Sequence, residues 1–283
     1  MTDRAASRPG TDSGIGRRNG TVPSELQSIV QSVDFVPERL ARTETSLARE
    51  RLRRDGAVIL TGWPVEPDSV VRAATAILGT RLRELEKVQE RTTENADTLT
   101  LHRDGAHVVV DIHDRLVRVR IADPDYALIL CTAPAPAGGE SFVVDGYRLI
   151  DRLRDGAPEL YNFITTIDVD ITSKWISKNI HTDLYRVPRV CRLVEWTRGG
   201  RMIVLVADEV QPAPRETQWD EHERLIASYA DVIAAADAQV RADTTLAAGE
   251  ILILDNYRCL HGVRAHEGRR TTHVLRCKSE DGL

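Results

Sequence analysis

Two stretches of this chain alternate apolar and charged residues one for one. Val117, Val119 and Ile121 are interleaved with Arg118 and Arg120, and Ile167, Val169 and Ile171 with Asp168 and Asp170. A period of two sends successive side chains to opposite faces, which suits a half-buried strand and not a helix. Met202 to Val206 and Ile251 to Leu254 are unbroken apolar runs, expected of strands covered on both sides. Strand texture begins at about residue 98, and helical spacing gathers at the front and in one late segment. With no dinucleotide or phosphate-loop glycine signature, this order predicts a mainly β protein with helical decoration, not a doubly wound α/β sheet.

The helices are expected at definite places. Residues 1 to about 22 are rich in Gly, Ser, Thr and Arg, nearly without apolar content, and read as a disordered tail. Ser24 can cap a helix to about Val33. Pro37 is expected to open a charged helix through Arg54, closed by Asp55-Gly56. Ala57 to Leu60 reads as a strand, and a helix runs from Pro67-Asp68 to Gly79. Leu225, Ile226, Tyr229, Val232, Ile233, Ala236 and Val240 mark a long amphipathic helix, an insertion near 220–242.

Composition removes several functions. The 283 residues carry 38 Lys+Arg against 43 Asp+Glu, a net charge of -5, which argues against a nucleic-acid or anionic-membrane binder. No apolar run approaches the ~18 residues of a membrane span, and no apolar leader opens the chain, so a cytoplasmic protein is expected. Of the basic residues only Lys87, Lys174, Lys178 and Lys278 are lysines; the arginine excess fits a GC-rich genome. Cys131, Cys191, Cys259 and Cys277 form no C-x-x-C pair and read as small buried hydrophobes.

Two histidines open an H-x-D tripeptide: His102-Arg103-Asp104 and His181-Thr182-Asp183. On a strand, i and i+2 face one way, so such a tripeptide can offer an imidazole and a carboxylate to one metal. A second histidine would complete a two-histidine, one-carboxylate set with open positions. With 43 Asp+Glu in 283, eight histidines yield about one histidine followed two residues on by Asp or Glu by chance, so context has to decide.

After the first tripeptide come Gly138-Gly139-Glu140-Ser141 and then Asp145. Much later comes Gly249-Glu250-Ile-Leu-Ile-Leu-Asp255-Asn256, with His261-Gly262, Arg270 and Arg276 behind it. Together with the Asp55-Gly-Ala-Val-Ile-Leu-Thr-Gly62 strand, this ordered series resembles the TauD/TfdA branch of the Fe(II)/2-oxoglutarate-dependent oxygenases, over roughly residues 56 to 280. The resemblance implies a double-stranded β-helix (jelly-roll) core, with residues 23–283 forming a single domain. It implies His102, Asp104 and His261 as iron ligands and 2-oxoglutarate and O2 as co-substrates. An arginine on the last strand would bind the distal carboxylate of 2-oxoglutarate, for which a guanidinium fork is suited. Arg270 and Arg276 both fit. Thr272 stands at the position between them where the family's arginine is usual. Arg270 is favoured for 2-oxoglutarate and Arg276 for substrate, with Ser141 taking the place of a threonine that bonds the co-substrate.

The stretch from Asp104 to Gly138 is longer than in simple members and is expected to hold an extra hairpin around His113-Asp114-Arg115. Asp104 stands where the family's halogenases lack the carboxylate, so halogenation is disfavoured. The implied reaction oxidises an unactivated C–H bond and releases succinate and CO2. Hydroxylation of a small polar metabolite is expected, an amino acid or an antibiotic or other natural-product intermediate. Desaturation and cyclisation stay open, as do a carrier-borne substrate and the oligomeric state. The alternatives are a catalytically silent jelly-roll binding protein and a metal set built on His181 and Asp183. Arg186, Arg189, Arg192, Arg198 and Arg201 form a basic stretch, read as a solvated edge ahead of an anion-recognition surface. Trp175, Trp196 and Trp219 read as core or core-edge ahead of pocket lining.

Overall fold

A computed structural model describes residues 24–280, apart from 106, 114, 121–122, 172–184, 187–189, 207–209 and 214–215. The expected tail, Trp175, His181, Asp183 and Arg189 therefore lie outside the described residues.

The larger sheet has seven strands. Its path runs Arg39–Ala41, Ala57–Thr61, Ile251–Asp255, Tyr126–Ala133, Arg270–Ser279 and Leu82–Leu85, and Gln89–Thr93 also pairs with Arg270–Ser279. The pleat explains the apolar runs at its centre. Ile251 and Ile253 join Val58, Leu60, Leu128, Leu130, Leu275 and Cys277 in a layer with helices α2 (Thr45–Asp55) and α3 (Asp68–Leu78). Leu252 and Leu254 join Ala57, Ile59, Ala127 and Cys131 on the other face. Both faces are covered, so no polar alternation is needed.

The second sheet follows the order Asp34–Phe35, Ser141–Asp145, Cys259–Val263 and Leu99–His102, with Asp243–Thr244 also on Ser141–Asp145. Phe142, Val144, Leu101 and Leu260 pack outward against helices α4 (Gly146–Gly156), α5 (Pro158–Thr166) and α6 (Trp219–Gln239). Val143 and Cys259 point inward and share the layer of Leu252 and Ala127. Two sheets, neither closed into a barrel, thus face each other across one apolar layer, a jelly-roll.

Several expectations need correction. Pro37 opens no helix: Arg39–Ala41 is a strand parallel to Ala57–Thr61, burying Leu40, and α2 begins only at Thr45. The Glu44 carboxylate accepts the Ala41 N–H at 2.7 Å and marks the break. The first helix, α1 (Ser24–Ile29), stops short of Val33. Of the alternating Ile167–Ile171 stretch only Val169–Asp170 is a strand, because α5 runs to Thr166. The extra hairpin is present as His107–Ile112 against Arg115–Arg120, with His113 at φ 52° in its turn. Among the described residues no helix is long and apolar enough to cross a membrane.

Candidate active site

His102 and His261 are cross-strand partners in the second sheet, and their rings lie 4.4 Å apart, centroid to centroid. His261 faces inward because it pairs with Val143, an inner-layer residue. The pairing slips between His261 and Val263, and Gly262 sits in the slip. A Cβ on Gly262 would come 2.2 Å from the Phe142 ring and 2.5 Å from the Leu99 carbonyl oxygen, which is why glycine follows the histidine.

Asp104 lies just past the end of its strand, so the pleat does not aim it. The Asn256 carboxamide does. Its Oδ1 accepts the Asp104 N–H at 2.9 Å, and its Nδ2 donates to the Asp104 carbonyl at 2.9 Å and to the Pro124 carbonyl at 2.6 Å. Asn256 is fully buried. Arg103, the middle residue of the tripeptide, turns the other way and forms a buried ion pair with Asp123. One ligand atom each from His102, Asp104 and His261 lies within 4.8 Å of the others.

The protonation states suit a cation. Nδ1 of His102 lies 3.0 Å from the Thr100 carbonyl; as donor it leaves Nε2 for a ligand. Burial, then the neighbouring His102, lowers the His261 imidazole to about 3, so it is neutral at pH 7. The Cys259 main chain, hydrogen-bonded to the ring, acts the other way. Burial alone would raise the Asp104 carboxyl, but His261, Arg276 and His102 draw it down to about 2. Arg276 Nη2 donates to Asp104 Oδ1 at 3.1 Å, and Nη1 meets Glu86 Oε2 at 3.5 Å. A buried carboxylate and two imidazoles form a donor set that fits a divalent iron.

The last strand supplies both expected arginines. Thr272, Val274 and Arg276 pair with Cys131, Ile129 and Ala127, all of the inner layer, while Leu275 and Cys277 face the helices. Arg270 keeps the same parity and lies against Gly139, where an added Cβ would be 3.3 Å from Arg270 Cδ. Burial lowers its pKa, the Cys131 thiol acts the other way, and it has no acidic partner among the described residues. Ser141 is buried on the inner face, two residues before Val143.

Other marked residues are structural. Asp145 caps α4 through the Tyr147 and Arg148 N–H groups and receives two hydrogen bonds from Arg258, at 2.9 and 2.6 Å. Arg201, from the basic stretch, is bound to Asp125 and Asp255 at 3.0 and 2.7 Å. The four cysteines are free and buried. Glu86, which holds Arg276, carried no signal in the sequence, since it lies in a charged stretch without periodicity.

The family model for taurine catabolism dioxygenase TauD, TfdA family, matches residues 24–278. The chain belongs to the TauD/TfdA family. The description of that family is of a dioxygenase. Human gamma-butyrobetaine dioxygenase is 24% identical over 149 residues, which cover 51% of this chain and 37% of that protein. The match thus spans little more than a third of the length of that curated relative. Among solved structures, AAD-2 in complex with Mn(II) and N-oxalylglycine has a TM-score of 0.59 at 14% identity, covering 86% of this chain and 91% of that one. Asparagine oxygenase with Fe(II), 2S,3S-3-hydroxyasparagine and succinate has a TM-score of 0.54 at 16% identity, covering 83% and 78%. PvcB of Pseudomonas aeruginosa has a TM-score of 0.53 at 13% identity, covering 84% and 81%. At these identities the structural likeness bears on the fold, which it shares.

Proposed function

We propose that this TauD/TfdA chain hydroxylates an unactivated C–H bond of a small polar metabolite, an amino acid or a natural-product intermediate. The observation that carries this is the convergence of one ligand atom each from His102, Asp104 and His261 within 4.8 Å. These three would hold Fe(II). Arg270, with Ser141 beside it on the inner face, would hold the distal carboxylate of 2-oxoglutarate. Iron and 2-oxoglutarate together supply the oxidising power, with succinate and CO2 as by-products.

The chain's own residues do the rest. The Thr100 carbonyl orients the His102 ring. Asn256 fixes the main chain of Asp104, and Arg276 takes Oδ1, leaving Oδ2 without a hydrogen bond among the described residues. Arg276 is engaged by Asp104 and Glu86, so we assign it to orienting the ligand carboxylate, not to binding substrate. The apolar layer around Ile129, Cys131 and Val143 keeps water from the inner face.

Anaerobic addition of Fe(II) and 2-oxoglutarate tests this reading. A weak visible charge-transfer band is expected in the wild type and not in Asp104→Ala. A wild type without the band, or an Asp104→Ala variant that retains it, would sink the ligand assignment.

A further inference from the structure

Arg91 stands on Gln89–Thr93, directly opposite Thr272 of the last strand. Opposed residues of an antiparallel pair share a side, so Arg91 is on the inner face with Thr272 and Arg276. Thr93, two residues on, turns the same way, and its hydroxyl meets Nε2 of buried His266 at 2.9 Å. Thr92 turns outward to the Thr271 hydroxyl, 3.1 Å away. The parity of the strand is thereby fixed by contacts on both of its faces.

The Arg91 charge is felt at the triad. Loss of hydration weakens its hold on the proton, Asp104 strengthens it and Arg276 weakens it. Its field also acts on His261. Yet Arg91 is exposed and forms no ion pair among the described residues. The neighbouring cations are occupied: Arg276 by Asp104 and Glu86, and Arg103 by Asp123. Asp104 offsets the repulsion from Arg276 but gives its hydrogen bond to Arg276, so a further anion would stabilise Arg91 on that face.

We propose that Arg91 anchors a carboxylate of the primary substrate, so that the enzyme acts on an anionic metabolite. This rests on the reading that Arg270 holds 2-oxoglutarate. With that co-substrate on Arg270, Arg91 remains on the inner face without an ion-pair partner among the described residues. It is exposed at the site, where an incoming substrate arrives, while Arg270 is packed against Gly139 and Cys131. One guanidinium offsets one charge and offers a planar fork, which matches a carboxylate better than a doubly charged phosphate.

Isothermal titration of the anaerobic enzyme loaded with Fe(II) and 2-oxoglutarate provides the test, with butanoate and its neutral counterpart butanamide as probes. Butanoate should bind about tenfold more tightly or better in the wild type. Arg91→Met should erase that preference, and Arg91→Lys should keep part of it. The 2-oxoglutarate concentration that half-saturates the charge-transfer band should stay within about twofold in Arg91→Met. Equal binding of the two probes, binding of neither, or a preference that survives in Arg91→Met overturns the proposal. A rise of about tenfold or more in the 2-oxoglutarate requirement of Arg91→Met assigns the guanidinium to the co-substrate and also overturns it. A wild type that shows the band without a probe preference defeats this inference alone. A wild type without the band defeats the metal reading and this inference with it.

Discussion

The Asn256 side chain holds the main chain of Asp104 by both its polar atoms, donating to the carbonyl and accepting from the N–H, each at 2.9 Å. A backbone gripped this way can neither rotate its peptide planes nor slide along its neighbour. The carboxylate of Asp104 is therefore aimed by a residue that is not itself a ligand.

Asn256→Leu should weaken Fe(II) binding by about 10- to 100-fold, as loss of an orienting residue around a metal site typically does. Unpairing buried main-chain groups should also cost about 2–4 kcal/mol of stability. Metal titration at low temperature separates the two effects; an unchanged Fe(II) affinity would refute the positioning role.

Arg270→Met should raise the half-saturating 2-oxoglutarate concentration by about tenfold or more and leave Fe(II) affinity nearly unchanged. Arg276→Met should instead release Asp104, whose carboxyl then titrates above about 2, and move the acid limit of metal binding to higher pH. Titrations of both variants across pH check the pair; exchanged phenotypes would reverse the assignments.

The metal-free protein should lose stability in acid for a traceable reason. His261 is lowered to about 3 from an ordinary 6.5, so the unfolded chain binds its proton first as pH falls. The stabilisation is complete above about 6.5 and is lost as pH drops toward 3. Asp104, lowered to about 2 from 3.8, has the same sign at lower pH: its contribution is present above about 4 and lost toward 2. Urea unfolding of the wild type and His261→Gln between pH 7 and 4 should show a steeper slope in the wild type.

Asp145→Ala removes a helix cap and strips Arg258 of its partner. The expected loss is about 3–5 kcal/mol, the range for breaking a buried pair from one side. Fe(II) affinity measured well below the melting point should be unaltered, since Asp145 serves α4 and not the metal.

Much of this was legible in the residues. The order of His102, Asp104, Ser141, His261 and the two arginines pointed to the jelly-roll and marked three side chains that converge, although Asp104 lies past its strand and the pleat does not aim it. The apolar run Ile251–Leu254 announced a strand covered on both faces. Residues 37–44 were opaque: they are charged helix formers, and only pairing with Ala57–Thr61 makes Arg39–Ala41 a strand. The work of Asn256 was hidden for a related reason, since its partners are main-chain atoms about 130 to 150 residues away. Arg91 was invisible until its register against Thr272 was known.

The staple behind the ligands has a consequence for how such a chain can diversify. Arg103 is tied to Asp123, and Asn256 ties Asp104 to Pro124. The strands His107–Ile112 and Arg115–Arg120 are thus an excursion whose two feet are bolted together at the base. Residues at its tip can be lengthened, shortened or recoded while Asp104 keeps its place. The excursion is a module that selection can exchange without touching the chemistry beneath it.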